Sequence, residues 1–404
     1  MNISQTSIAF SQMLSDSLTE KTALPFIKHT LAPNPIVKPG EEFQTLTIGG
    51  SICQSDRMRI DPTSPSLELG IRGAGRKIHS LDRKVQEQPA FNTEEEFLSY
   101  FESLLDPNVR VVALNFAYPL NPVSRNGLLD GVLVSGSKEN TFTGLVGKPV
   151  GETIEQYIKQ KLDREIRVSV ANDTICLLLS GLTKYKWNEI AAGIAGTGLN
   201  FAIFLDEHTA INLESANFNK FEQTPEGRQI DKESVSPGDA VFEKEISGAY
   251  LYKHFNLIAE RNGLKTRISS SKELDKLAEY AEHFTHDNRH SELGSESMEL
   301  NRFRVPPSLK LQRASKPGMT NEGKLAQIAH TILQRSADLV ACQIAGIMEF
   351  QKRDLIFIMQ GSLFWKGYNY KETVDKTVKR LTKYRAQFVK IENADLFGAA
   401  KLIV

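Results

Sequence analysis

One figure recurs along this chain and constrains its fold more than any other: an apolar run of strand length that stops at a glycine turn. FQTLTIGGSI (43–52) and DLIFIMQGS (354–362) each show it once. EIAAGIAGTGLNFAIFL (189–205) is two such runs joined through a glycine turn. VRVVALNF (109–116) reads as a buried strand from its β-branched residues, and IRVSVAN (166–172) and AQFVKI (386–391) read as further strands. Between them lie segments of helical period. These are 94–105, with Thr93 as cap and glutamates in the first turn, then 151–164, about 239–262, 323–352, 369–382 and a short piece from about 394. Residues 3–32 carry Ile8, Phe10, Met13, Leu14, Leu18, Leu24 and Phe26 at helical spacing, and 34–40 is a Pro/Gly-punctuated linker. Strands alternating with helices predict an α/β fold. The turns stand directly after strands, where α/β proteins place ligand sites.

At 404 residues the chain is too long for one ordinary core, so two domains are expected. No internal repeat is visible in the sequence. Residues 287–322 fit neither period, contain three prolines (Pro306, Pro307 and Pro317), and read as a surface insertion between two helices. Lys plus Arg and Asp plus Glu are both 49, a balance that argues against a general nucleic-acid binder. Cys53, Cys176 and Cys342 are far apart, which suggests neither a disulfide framework nor a zinc site and fits a reducing, cytoplasmic setting. The N-terminus lacks a signal-peptide pattern, and no run of about 18 apolar residues predicts a membrane span.

Three short words carry chemistry. Asn172-Asp173-Thr174 stands where an apolar strand passes into an apolar helix. A carboxylate there suits a base that takes a proton from a substrate hydroxyl during phosphoryl transfer, but the tripeptide alone favours a helix N-cap, by far the commoner role. Gly196-Thr197-Gly198 with Asn200 is a turn whose glycines let backbone N–H groups approach an anion; it is neither a Walker A loop nor a helix-opening GxGxxG, and by itself it reads as a plain β-hairpin turn. Asn212-Leu213-Glu214 and Phe242-Glu243-Lys244 supply carboxylates able to accept hydrogen bonds from sugar hydroxyls, or to stand on the surface as most glutamates do.

The order of these words resembles the hexokinase family. Its successive motifs find counterparts in Leu24-Pro25-Phe26, Pro39-Gly40-Glu41, Thr47-Ile48-Gly49-Gly50-Ser51, Phe116-Ala117-Tyr118-Pro119, Thr141-Phe142-Thr143-Gly144-Leu145, Asn172-Asp173-Thr174, Gly196-Thr197-Gly198-Leu199-Asn200, Asn212-Leu213-Glu214, Pro237-Gly238 with Glu243-Lys244 and Ser247-Gly248, and Gln360-Gly361-Ser362. The resemblance implies two actin-like ATPase (RNase H-like) domains around a sugar and ATP cleft that closes on the sugar. It implies a 1–40 N-terminal helical segment and linker, a small domain over 41–172 and a large one over 173–404. It further implies phosphorylation of a glucose-like hexose at the 6-hydroxyl by MgATP, with Asp173 as base. Asn172, Asn200, Glu214 and Glu243 then bind the sugar, with Thr143 at a further sugar position. Gly49, Gly50, Ser51, Gly196, Thr197, Gly198, Gly361 and Ser362 line the ATP, and no resident metal site is expected.

Four positions depart from the family pattern. Thr47 replaces the acid of the first phosphate loop, Thr143 the sugar-site lysine, Ala117 a serine, and Gln360 the acid before Gly361. Asp56 replaces the first acid only if the alignment slips. These losses set a second reading, a silent hexokinase-like sugar binder, beside the active kinase. A non-kinase actin-like ATPase has no need of the words around Glu214 and Glu243.

Overall fold

The structure, a computed structural model, describes residues 2–50, 52–63, 77–136, 140–290 and 320–404, the side chains of 281–290 excepted. In chain order the first half contains α1 (Ile3–Asp16), β1 (Ile27–Thr30), β2 (Glu42–Ile48), β3 (Ile52–Ile60), β4 (Ile78–Glu87), α2 (Glu94–Leu104), β5 (Val111–Phe116), the hairpin β6 (Leu120–Arg125) and β7 (Leu128–Leu133), α3 (Val150–Leu162), β8 (Arg167–Ala171) and α4 (Asp173–Ser180). The second half contains β9 (Ile190–Ala195), β10 (Leu199–Asp206), β11 (Thr209–Asn212), α5 (Pro225–Lys232), α6 (Val241–Ile246), α7 (Leu251–Arg261), α8 (Ser271–His290), α9 (Asn321–Gln351), β12 (Leu355–Gln360), α10 (Ser362–Lys366), α11 (Tyr370–Leu381), β13 (Ala386–Val389) and α12 (Ala394–Ala400).

These strands form two sheets of the same plan. One runs β4-β3-β2-β5-β8; the other runs β11-β10-β9-β12-β13, with β1 added at the β11 edge. In each, three strands form an antiparallel meander, and the first of them continues into two parallel neighbours. The sequence shows no repeat, yet the topology is one unit used twice, because a shared backbone plan needs only matching periods and turns.

The apolar runs are continuous because both faces of each sheet are covered. In β5, Val112, Leu114 and Phe116 pack towards α2 and α3 with Phe97, Phe101, Ile154 and Ile158, while Ala113 faces the opposite side. In β12, Phe357 and Met359 face the layer that holds α9, and Ile358 faces α4. Between the sheets lie α4 and α12, the helices that follow the fifth strand of each unit. Ile175, Leu178 and Leu179 of α4 share one core with Leu396, Ala399 and Ala400 of α12 and with residues of both sheets. Gly398 makes this crossing close: a Cβ there would sit 1.8 Å from the Cys176 carbonyl oxygen.

Local chemistry explains several boundaries. Thr93 caps α2 through a reciprocal box, its hydroxyl accepting from Glu96 N–H and Glu96 accepting from Thr93 N–H. The expected N-terminal helix over 3–32 is corrected: α1 stops at Asp16, and 27–30 is a strand. Leu24 precedes a proline, which disfavours helical backbone, and Phe26 holds φ 51°. The 239–262 helix is also corrected, since Ser247-Gly248 separates α6 from α7. Of the proposed insertion, 287–290 continue α8 and 321–322 open α9, while 291–319 lie outside the described residues. Among the described residues no helix is long and apolar enough to cross a membrane. Cys53, Cys176 and Cys342 are buried and unpaired.

Candidate functional site

Strand direction gathers the candidate turns. Gly49 follows β2, Ala117 follows β5 and Asn172 follows β8, three parallel strands of one sheet. Gly196 follows β9 and Gly361 follows β12, parallel strands of the other. Each therefore stands at the carboxyl edge of its sheet, where α/β folds bind ligands. A shallow depression lined by Glu189, Asp354, Ile356 and Arg385 lies at the opposite ends of β9 and β12 and so away from all of them.

Asp173 opens α4. Asn172 caps the helix, its Oδ1 accepting from Ile175 N–H at 3.0 Å. Asp173 Oδ1 accepts from Thr174 N–H at 2.7 Å and from the Thr174 hydroxyl at 3.2 Å. Thr174 Oγ1 in turn accepts from Asn200 Nδ2 at 3.1 Å. Asn200 also donates to Asn212 Oδ1 at 2.8 Å, and Asn212 Nδ2 donates to Glu214 Oε1 at 2.7 Å. The words read separately in the sequence are thus one hydrogen-bonded chain from Asp173 to Glu214.

Three carboxylates meet there. Burial pushes the Glu214 carboxyl above its ordinary range, and the charges of Asp173 and Glu243 push it the same way against the Asn212 hydrogen bond. Glu243 is raised by burial too, although it accepts from Leu199 N–H at 2.9 Å. That bond ties α6 to the 196–198 turn, and a Cβ on Gly198 would come within 2.8 Å of Glu243 Oε2.

The glycine turns interlock. Gly248 N–H donates to Gly196 O at 2.8 Å, and Ala249 N–H to Thr197 O at 3.3 Å. Gly361 holds φ 110°, and a Cβ there would lie 2.2 Å from Ala195 O, so the 361–362 turn presses on the 195–196 backbone. On the other sheet, Gly49 N–H donates to Gln88 Oε1 at 2.8 Å, and Gly50 holds φ 91° with open space beside it. Ser51 lies outside the described residues.

The four departures have distinct surroundings. Thr47 is buried and pairs in register with Asn115. Its hydroxyl oxygen and both polar atoms of the Asn115 amide are buried without a protein hydrogen bond. Gln360 Nε2 donates to both oxygens of Asp395, at 3.1 and 3.3 Å, and burial pushes the Asp395 carboxyl up. Ala117 packs so closely on Gly49 that a Cβ there would meet the Ala117 Cβ at 2.3 Å. Thr143 is exposed and bonded through its backbone to Asn92 and Glu94, with no described contact to the Asp173 chain. Asp56 pairs with Thr45 rather than Thr47, back along β2 from the Gly49 turn.

The sequence reading assigned no role to Thr174, Asn212 or Asn115. Asn115 did leave a signal, a polar residue inside the apolar run VRVVALNF. The partner that Thr174 and Asn212 share, Asn200, is 26 and 12 positions away in sequence, and they left none.

Two sheets of one plan, with α4 and α12 packed together between them, define the actin-like ATPase fold. A hexokinase from Schistosoma mansoni complexed with glucose superposes with a TM-score of 0.69 at 18% identity, over 100% of this chain and 95% of that one. A ROK hexokinase from Thermus thermophilus superposes with a TM-score of 0.53 at 12% identity, over 90% and 97%. The family model described as Hexokinase matches residues 190–404, more than half of the chain, and the chain belongs to the hexokinase family. Hexokinase-7 of Oryza sativa is 26% identical over 302 residues, covering 68% of this chain and 63% of its own length. Hexokinase-2 of Rattus norvegicus is 25% identical over 390 residues, covering 89% of this chain and 41% of its own length. The chain thus spans less than two thirds of either relative.

Proposed function

We propose that this protein transfers the terminal phosphoryl group of MgATP to a hexose hydroxyl, with Asp173 as the base. The observation that carries this reading is the chain Asp173–Thr174–Asn200–Asn212–Glu214 at the mouth of α4, with Glu243 in the same electrostatic field. A site of closely set acceptors suits a polyol, because each hydroxyl can donate to a carboxylate. Glu214 and Glu243 take sugar hydroxyls, joined by the Asn172 amide N–H group, which makes no protein hydrogen bond among the described residues. Asp173 accepts the proton of the attacking hydroxyl as its oxygen bonds to phosphorus.

The nucleotide side fits the remaining turns. Gly49 and Gly50 with Gly196, Thr197 and Gly198 receive the phosphates, and Gly361 and Ser362 the nucleoside side. Mg²⁺ would arrive bound to the phosphates of the co-substrate, as MgATP. The buried, unpartnered Thr47 hydroxyl and Asn115 amide are of the kind that receives the water shell of such an ion. The chain divides into a small lobe over 41–172 and a large one over 173–404, whose closure excludes water from the transfer.

A coupled assay of ADP release against a panel of hexoses tests the reading. Turnover falls by about 10²–10⁴-fold in Asp173→Asn while thermal stability holds, since the α4 cap is Asn172 and an amide oxygen at the substituted position still accepts from the Thr174 N–H. Turnover that survives this substitution refutes Asp173 as base. The second reading, a silent sugar binder, draws on the exposed Thr143 and the neutral Thr47 and Gln360; hexose binding without turnover on any sugar would establish it instead.

A further inference from the structure

Thr174 is buried, with 1% of its surface exposed, yet its hydroxyl lies between two polar groups. The direction of every bond in this chain is fixed by chemistry. Asn200 Oδ1 accepts from Phe201 N–H at 2.8 Å and from Ser215 N–H at 3.3 Å, and backbone N–H groups can only donate. The other end of the Asn200 amide is therefore the NH₂ group. It donates to Asn212 Oδ1 and to Thr174 Oγ1, and it also lies against the Glu214 carboxylate. A hydroxyl has a single proton. Because Asn200 donates to the hydroxyl oxygen, the Thr174 proton points away from it, at Asp173 Oδ1, which as a carboxylate oxygen can only accept.

We propose that Thr174 and Asn200 form a one-way hydrogen-bond relay that positions and tunes Asp173; this rests on the reading of Asp173 as the base. Thr174 is a positioning residue in this scheme, and Asn200 acts behind it. Asn200 was expected to bind the sugar, but both of its amide protons and both acceptor directions are already committed to the protein. The relay does two things. It anchors one carboxylate oxygen through the Thr174 N–H and hydroxyl together, which fixes the plane in which the base meets a substrate hydroxyl. It also stabilises the ionised form of Asp173 against the neighbouring charge of Glu214. A base poised this way is ready to accept a proton at neutral pH, whereas two carboxylates in one field otherwise raise each other's proton affinity.

The test replaces the hydroxyl and keeps the shape. Thr174→Val removes the donor, and Thr174→Ser retains it. Carboxyl carbon NMR on protein with labelled aspartate, the Asp173 signal being identified by its loss in Asp173→Asn, reads the proton affinity directly and needs no turnover. Thr174→Val raises the pKa of Asp173 by about 1–2 units, the equivalent of one hydrogen bond to a charged form, and Thr174→Ser restores it. In kinetics, Thr174→Val lowers kcat by ~10–100-fold, leaves the hexose KM within about threefold, and moves the acid limb of the rate profile to higher pH; Thr174→Ser stays near the parent. Should Val at this site fail to fold, Thr174→Ala, which adds no bulk, takes its place. A Val or Ala variant whose Asp173 titrates as in the parent overturns the relay. A parent enzyme without turnover refutes the base assignment instead, and the NMR titration still decides whether the relay exists.

Discussion

Gly398 holds α12 against α4, and Gly398→Ala tests how far the placement of Asp173 depends on that crossing. The added Cβ would lie 1.8 Å from the Cys176 carbonyl oxygen and 2.5 Å from its carbon. An ordinary carbon–oxygen contact is about 3.3 Å, so the two helices must separate by roughly 1.5 Å. The obstacle is backbone in a helix whose Ile175, Cys176 and Leu178 are fully buried, so no side chain can swing aside. Overpacking of this kind costs ~1–3 kcal/mol, and backbone against backbone belongs at the upper end. For a chain of this size that corresponds to a fall in Tm on the order of 5 °C. Asp173 is the first residue of α4, three positions before Cys176, so it moves with the helix. A displacement of about 1 Å at a reacting group can cost ~10²-fold in rate. Differential scanning calorimetry and the hexose-dependent ADP assay measure the two effects on one variant. Gly398→Ala with the parent's Tm and with kcat within about twofold would show that α12 does not set the position of α4.

Two further outcomes follow from the buried carboxyls. Glu214 and Glu243 bind protons more tightly folded than unfolded, so their contribution to stability is greatest below the ordinary 4.5 and is lost as pH rises through the raised folded values. Glu214→Gln therefore gains stability relative to the parent as pH rises from about 4.5 to neutrality, while hexose affinity falls about tenfold with the loss of a charged acceptor; thermal unfolding against pH and sugar titration check both. Gln360→Glu restores an acid near the position where the family carries one, yet sets it against Asp395 in place of the two amide contacts Asp395 now receives. The variant loses about 1–3 kcal/mol in urea denaturation at about pH 8 and recovers most of it at about pH 5, where the pair shares a proton.

The chain's local chemistry determined a good deal. The strand at 109–116, the strand ending at Asn172 and the paired strands around Gly196 were legible because each is an apolar run cut off by residues that turn the backbone, a signal contained within a few neighbours. The α2 cap was legible for the same reason, since Thr93 and Glu96 are three residues apart. Asp173 as a candidate was legible from its place between strand and helix. Only tertiary structure decided what each residue faces. That Thr174 and Asn200 belong to one relay depends on β10 lying across from α4, a contact between residues 26 positions apart. That β1 is a strand depends on the free edge of β11, which offers Ile27–Thr30 a ladder worth more than continued helix. The doubling of the sheet plan is likewise a property of pairing order, which no single segment carries. Gln360 showed its amide in the sequence; its bond to Asp395, 35 positions on, exists because β12 and α12 return to the same edge. A residue's type and neighbours fix its conformational preferences within a turn or two, whereas its partners, its burial and hence its proton affinity are set by chain segments that meet only when the whole core forms.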